Sequence, residues 1–205
     1  MNADATPRIE RLTPARRADY LGFFDHERGP AFAGNPEWAA CYCHFHHLSP
    51  RLDWHALDGA ANRTAMDARI ACGEMDGYLA YRGDDVIGWL NAQPRHKLDH
   101  CDARIGVVTP PRDVPEHEAA AIVCFVVAPM ARWQGIARAL LSAALDDLAV
   151  RGIRVVDAYP ASRERRDAPG RDRYRGPRTL FAAAGFVDVA HHAGVRVMRK
   201  VLRAT

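Results

Sequence analysis

No stretch of this chain is apolar over the roughly 20 residues that a membrane-spanning helix needs. The longest such run, Ala119 to Ala128, is about half that length, so no membrane partner is expected. The opening Met1-Asn2-Ala3-Asp4-Ala5 lacks a basic start followed by an apolar stretch, which argues against a secretory signal and for a cytoplasmic protein. Cysteine is scarce and odd in number. Cys41, Cys43, Cys72, Cys101 and Cys124 are too few to brace 205 residues as a disulfide scaffold, and free thiols are expected. Net charge is only +3, too little to suggest non-specific nucleic-acid binding. Internal repeats and Ser/Gly linkers are absent.

What remains is an ordinary globular composition. Hydrophobic residues make up 48% and charged residues 26%, enough apolar side chain for a core and too much for general disorder. The pattern reads as one α+β domain over residues 1–205, a mixed sheet flanked by helices. Residues 1–115 form its N-terminal part and 116–205 its core and C-terminal strands.

Period-two alternation predicts a strand at Arg8–Leu12. Thr13-Pro14 then reads as a helix cap with Pro in the first turn, and the helix turns Tyr20, Leu21, Phe23 and Phe24 inward. Ala61, Ala65, Met66 and Ile70 recur at helical spacing between Gly59 and Gly73. Residues 77–81 and 86–92 flank Arg82-Gly83-Asp84-Asp85 as a hairpin. Residues 121–127 are continuously apolar, as in a strand buried on both faces. Ile136, Leu140, Leu141, Ala144, Leu145 and Leu148 mark an amphipathic helix closed by Gly152. A strand at 153–159, a short helix at 177–184 and strands at 186–189 and 195–201 complete the chain.

The informative segment is Val127-Ala128-Pro129-Met130-Ala131-Arg132-Trp133-Gln134-Gly135-Ile136-Ala137-Arg138. A buried strand runs through a tight turn into a long helix, with small residues Gly135 and Ala137 at its start. The first N–H groups of a helix lack intrahelical partners and lie at the positive end of its dipole. Small residues there let a diphosphate approach the backbone. A plain tight connection is the alternative reading of the same spacing.

Arg132-x-x-Gly135-x-Ala137 after Val127-x-Pro129 resembles the acetyl-CoA signature of the GNAT superfamily of N-acetyltransferases. The resemblance runs from Arg8 to Leu202 and is strongest from Ala121 to Phe186. The chain is also similar to a bacterial subgroup with a Trp-x-x-Cys-Tyr-Cys segment, here Trp38 to Cys43, a Gly-Trp strand and an Ala-Tyr-Pro strand end. The resemblance implies acetyl-CoA as acyl donor and an unidentified amine as acceptor. It implies that the backbone of Gln134, Gly135, Ile136 and Ala137 holds the pyrophosphate, with Arg132, Trp133 and Arg138 beside it. It further implies that Phe125, Val126 and Val127 line the pantetheine arm, the Val127 N–H polarising the thioester carbonyl. A homodimer is left open.

One position departs from that pattern. Many members of the family place a Tyr four residues before the Gly of Gly185-Phe186, where it protonates the leaving thiolate; this chain has Phe181. Tyr174, Tyr159 or water are the substitutes. Glu118 and His117, with Glu116, precede the buried strand and are candidates for the base that takes the amine's proton.

Two further clusters stand out. Cys41-x-Cys43-His44-x-His46-His47 is rich in metal ligands, but the distant candidates His55, Cys72 and Cys101 are not paired at close spacing, and no metal is expected. Residues 151–178 hold nine arginines against four acids, and the long insertion from Pro160 to Gly176 suits either a lid, a phosphate contact or a solvated loop. The reading is an acetyl-CoA-dependent N-acetyltransferase. Its alternatives are a non-catalytic acyl-CoA sensor and, further off, a Cys/His metal module.

Overall fold

The computed structural model describes residues 6–25, 40–98, 100–160, 173–192 and 194–203. Its strands are β1 (Arg8–Arg11), β2 (Tyr78–Arg82), β3 (Asp85–Pro94), β4 (Ala119–Val127), β5 (Val155–Ala158), β6 (Val187–His192) and β7 (Val195–Val201). Its α-helices are α1 (Arg17–Phe24), α2 (Gly59–Ala71), α3 (Cys101–Ile105), α4 (Ile136–Val150) and α5 (Arg178–Ala183), joined by short 3-10 turns. All seven strands form one sheet in the order β1-β2-β3-β4-β5-β7-β6. Only β4 and β5 are parallel, because the α4 crossover between them brings the chain back to the same end.

Adjacent residues of β3 show how the two faces are filled. Gly88 faces α4 so closely that a β-carbon there would lie 3.0 Å from Ile136 Cγ2 and 3.2 Å from Leu140 Cδ1. Its neighbour Trp89 points to the other face, where Tyr20 of α1 packs edge-on at 4.9 Å between ring centroids. Just before β2, Gly77 carries φ of +152°, and a β-carbon there would lie 2.2 Å from Trp89 Cη2. Only glycine fits that crossing.

The helix signals act as read, with one exception. Thr13 and Pro14 open a 3-10 turn that leads into α1, burying Tyr20, Leu21, Phe23 and Phe24. In α2, Asp58 caps the Ala61 N–H, and Met66 and Ile70 are buried. Ala61 is exposed, however, and the polar Asn62 is fully buried instead. Its amide donates to Ala40 O at 2.8 Å and its Oδ1 meets His44 Nδ1 at 2.7 Å. These partners replace the water that an asparagine would otherwise keep.

Two buried carboxylates tie the layers together. Asp76 binds Arg11 of β1 at 2.9 Å and Arg151, just after α4, at 2.6 Å. These arginines outweigh the cost of its burial and hold its carboxyl below the usual range. Asp157 of β5 binds Arg112 at 2.6 Å and Arg199 of β7 at 2.7 Å. Arg199 also donates to the carbonyls of Pro110 and Pro111, fastening the segment between β3 and β4 across the sheet. Among the described residues, no helix is long and apolar enough to cross a membrane.

Candidate active site

Strand β4 parts from its parallel neighbour before it ends. Pairing with β5 runs only from Ala119–Val155 to Ile122–Ala158, whereas pairing with β3 continues to Gly88–Val127. Between the Asn91–Cys124 and Ala92–Ile122 pairs the register slips by one residue at Val123. Such a bulge adds local twist and turns a strand away from its partner. The β5-facing edge of β4 beyond the bulge therefore has no strand beside it. Backbone N–H groups alternate between the two edges of a strand. The Ala128 N–H bonds Ile87 O of β3 at 3.0 Å, so the Val127 N–H faces the open edge.

The following turn is shaped by its own side chains. Arg132 Nε donates to Val127 O at 3.1 Å and Gln134 Nε2 to Met130 O at 2.7 Å. Arg82, at the end of β2, donates to Gln134 Oε1 at 2.6 Å. Trp133 is fully exposed with φ of 65°. Gly135 precedes α4 with φ of +79°, offers no capping side chain, and a β-carbon there would meet nothing within 4 Å. The Ala139 N–H makes its helical bond to Gly135 O at 3.0 Å, which leaves the N–H groups of Ile136, Ala137 and Arg138 at the bare positive end. This geometry suits a phosphate-type anion. The Ile136 side chain is buried against Gly88, so Ile136 presents backbone alone. Phe125 to Arg138 thus gather at one end of β4.

The proton-transfer candidates scatter. Glu118 and His117 stand just before β4, at the opposite end from Val127. Nine residues of strand place them roughly 30 Å from that end. Glu118 pairs with Arg154 at 3.0 Å, and the His117 side chain is 73% exposed. The expectation that this group faces the cleft is corrected accordingly, because the open edge lies past the bulge at Val123. Tyr159 is at the cleft end of β5 but is fully engaged. Its hydroxyl donates to Asp102 Oδ1 at 2.8 Å, accepts from Arg95 at 2.8 Å and lies 3.2 Å from Thr109 Oγ1. Burial pushes this hydroxyl well above the ordinary phenol range. Its role is to hold the segment between β3 and β4.

Tyr174 sits in the 3-10 turn Arg173–Arg175, half-buried, beside the free edge. The next residue but one, Gly176, is so near β4 that a β-carbon there would lie 3.2 Å from Phe125 Cδ2. The Tyr174 hydroxyl accepts from Arg175 Nε at 3.3 Å, and its ring lies 6.1 Å from that of His46. His46 is buried, its Nδ1 has no partner, and burial lowers its imidazole to about 3. Phe181 has no exposed surface and packs among Phe125 and Phe186.

Arg82 and His46 were not legible as site residues. Arg82 was read only as part of a hairpin turn and His46 only as part of the Cys/His cluster; the sheet and the 3-10 turn His44–His47 bring them in. Among the described residues, no group of three or more His, Cys, Asp or Glu side chains is placed to hold a metal ion. Trp38 of the Trp-x-x-Cys-Tyr-Cys segment and most of the Arg-rich insertion lie outside the described residues.

The model of the acetyltransferase (GNAT) family matches residues 45–166. No curated protein matches the chain. Several solved structures share its fold. The GNAT domain of PAT from S. lividans superposes with a TM-score of 0.55 at 17% identity, covering 97% of this chain and 92% of that one. The paia N-acetyltransferase of Thermoplasma acidophilum, in complex with coenzyme A, gives 0.53 at 11% identity, covering 96% and 99%. Salmonella typhimurium yncA, with its cofactor acetyl-CoA, gives 0.52 at 15% identity, covering 98% and 96%.

Proposed function

This chain belongs to the acetyltransferase (GNAT) family, and on that premise we propose that it transfers an acetyl group from acetyl-CoA to an amine by direct attack. The observation that carries the reading is the open edge of β4 leading into the uncapped start of α4. Those two features provide a channel for an extended arm and a cradle for a diphosphate. The coenzyme A and acetyl-CoA held by the Thermoplasma and Salmonella proteins support the choice of donor.

In this reading the N–H groups of Ile136, Ala137 and Arg138 bind the pyrophosphate. Gly135 keeps the approach clear, and the Arg132 and Arg138 guanidinium groups add positive charge beside it. The pantetheine arm lies along Phe125, Val126 and Val127. The Val127 N–H donates to the thioester oxygen and strengthens that bond as the oxyanion forms. A neutral amine attacks the carbonyl carbon, the C–S bond breaks, the CoA thiolate takes a proton from Tyr174, and the proton shed by the amine passes to water, which reprotonates the tyrosinate. Tyr174 is chosen over Tyr159 because the latter's proton is committed to Asp102. The chain otherwise works by positioning its two substrates.

The test is release of free CoA thiol when the protein is given acetyl-CoA and a panel of amines. Release that depends on both substrates supports the reading. Tight acetyl-CoA binding with no release across the panel would replace it with an acyl-CoA sensor, the alternative that the buried Phe181 favours.

A further inference from the structure

The Cys41-Tyr42-Cys43 segment has no part in the reaction above, yet its backbone is held in an unusual shape. Tyr42 and Cys43 take φ values of 43° and 57°, two successive left-handed residues that are not glycine. Such a conformation is strained and persists only where its surroundings hold it. Here the Tyr20 hydroxyl donates to Tyr42 O at 2.7 Å and the Tyr42 hydroxyl to Asp25 at 2.9 Å. The outcome is that Cys43 turns onto the sheet. Its Sγ lies 3.4 Å from Trp89 Nε1 and 3.6 Å from Asn91 Nδ2, accepting from both. The Asn91 amide is fixed in that sense because its Oδ1 accepts from Gln93 Nε2 at 2.6 Å.

Asn91 is directly opposite Cys124 across the β3–β4 ladder, and opposed residues project from the same face. Cys43, which accepts from the Asn91 amide, therefore lies on the same face of the sheet as Cys124. We propose that Cys43 and Cys124 are a modification site, a buried thiol pair that hydrogen peroxide converts to a disulfide, tying the 3-10 turn His44–His47 to β4. The chemistry of the two sulfurs differs in the required sense. Burial would raise the Cys43 thiol, but hydrogen bonds from Cys124, Trp89 and Asn91 bring it below its ordinary value. The bond to Cys43 and burial raise Cys124. Burial and the neighbouring Cys43 push Cys41 up to about 12, leaving it a poor nucleophile.

The steps balance. Cys43 thiolate attacks one peroxide oxygen, the O–O bond breaks, and the departing hydroxide takes a proton to become water. Cys43 is then a sulfenic acid. The Cys124 sulfur attacks the Cys43 sulfur, its proton leaves with the displaced hydroxide as a second water, and the S–S bond forms. Cys43 and Cys124 are 2% and 6% exposed, which restricts their oxidation to a reagent as small as hydrogen peroxide.

The experiment treats the purified full chain with hydrogen peroxide, then denatures it, alkylates free thiols and maps the peptides by mass spectrometry. The expected result is a loss of two hydrogens, reversed by dithiothreitol, in a cross-linked peptide pair containing Cys43 and Cys124. In Cys124→Ser, Cys43 should instead gain one oxygen that dimedone traps. A disulfide joining other cysteines, or oxidation of exposed Cys72 while Cys43 stays fully alkylated, would overturn the proposal. The wild-type measurement decides the matter even where the serine variant fails to fold.

Discussion

Phe181 packs edge-on against Phe125, with ring centroids 5.9 Å apart, at the position where the resemblance expects a hydroxyl. Phe125 belongs to the open edge of β4, so in the proposed reaction this pair forms part of the wall beside the thioester. That wall has no proton to give, and Tyr174 stands in the turn that packs on Phe125 through Gly176.

Tyr174→Phe should lower kcat by perhaps ~10²-fold while leaving acetyl-CoA affinity unchanged. Turnover persists because a thiol of pKa about 8.5 is a fair leaving group even without an acid. Steady-state rates and calorimetric binding on the same preparation check this. An unaltered kcat would leave water as the donor. Phe181→Tyr should not rescue the variant. Its ring is fully buried between Phe125 and Phe186, and a buried hydroxyl introduced there without a hydrogen-bond partner destabilises by about 1–3 kcal/mol.

Gly135→Glu should abolish acetyl-CoA binding. The side chain would project into the open space before α4 and set a carboxylate where the diphosphate belongs. Gly135→Ala separates this effect from backbone strain, since both variants are forced to φ near +79°. The alanine variant should lose about 1 kcal/mol of stability and still bind. Calorimetry with circular dichroism distinguishes the two, and equal affinities for Glu and wild type would rule out the cradle.

Asp157→Ala should destabilise the fold by about 3–5 kcal/mol, because Arg199 would be left a buried charge with only the Pro110 and Pro111 carbonyls, and Arg112 with only Glu116 at 3.6 Å. Both arginines are at most 14% exposed. Chemical denaturation measures the loss. Adding Arg199→Met to the Ala variant should recover part of it, and a double variant weaker by the full sum of both changes would contradict the clamp.

Stability should fall on mild acidification. Burial lowers the imidazoles of His44, His46 and His47 below the ordinary 6.5, with His46 near 3. Below pH 6.5 the unfolded chain binds protons that the folded chain refuses, so the folded state loses ground as pH drops towards 3. For His46 the slope is about 1.4 kcal/mol per pH unit. Melting curves at pH 7 and pH 5 read it directly, and His46→Gln should flatten the dependence. The same slope in that variant would remove His46 as a cause.

The sequence by itself determined the elements and the uncapped start of α4. Alternation, helical spacing, Pro14, Gly135 and Gly152 are local signals, and local geometry is what they govern. Each strand and long helix was legible within a few residues, and the turn into α4 was readable around Gly135 because a helix start is built from consecutive backbone groups. The tertiary structure alone decided where protons can move. Glu118 and Tyr159 look alike in sequence as polar residues flanking buried strands. The nine-residue length of β4 sets Glu118 at its far end, and Arg95 with Asp102 engages the hydroxyl of Tyr159. His46 reached the site through a turn, and Cys43 met Cys124 across 81 residues of chain through two left-handed residues. Such meetings depend on the bulge, the register and the packing of distant segments, none of which leaves a mark in local spacing.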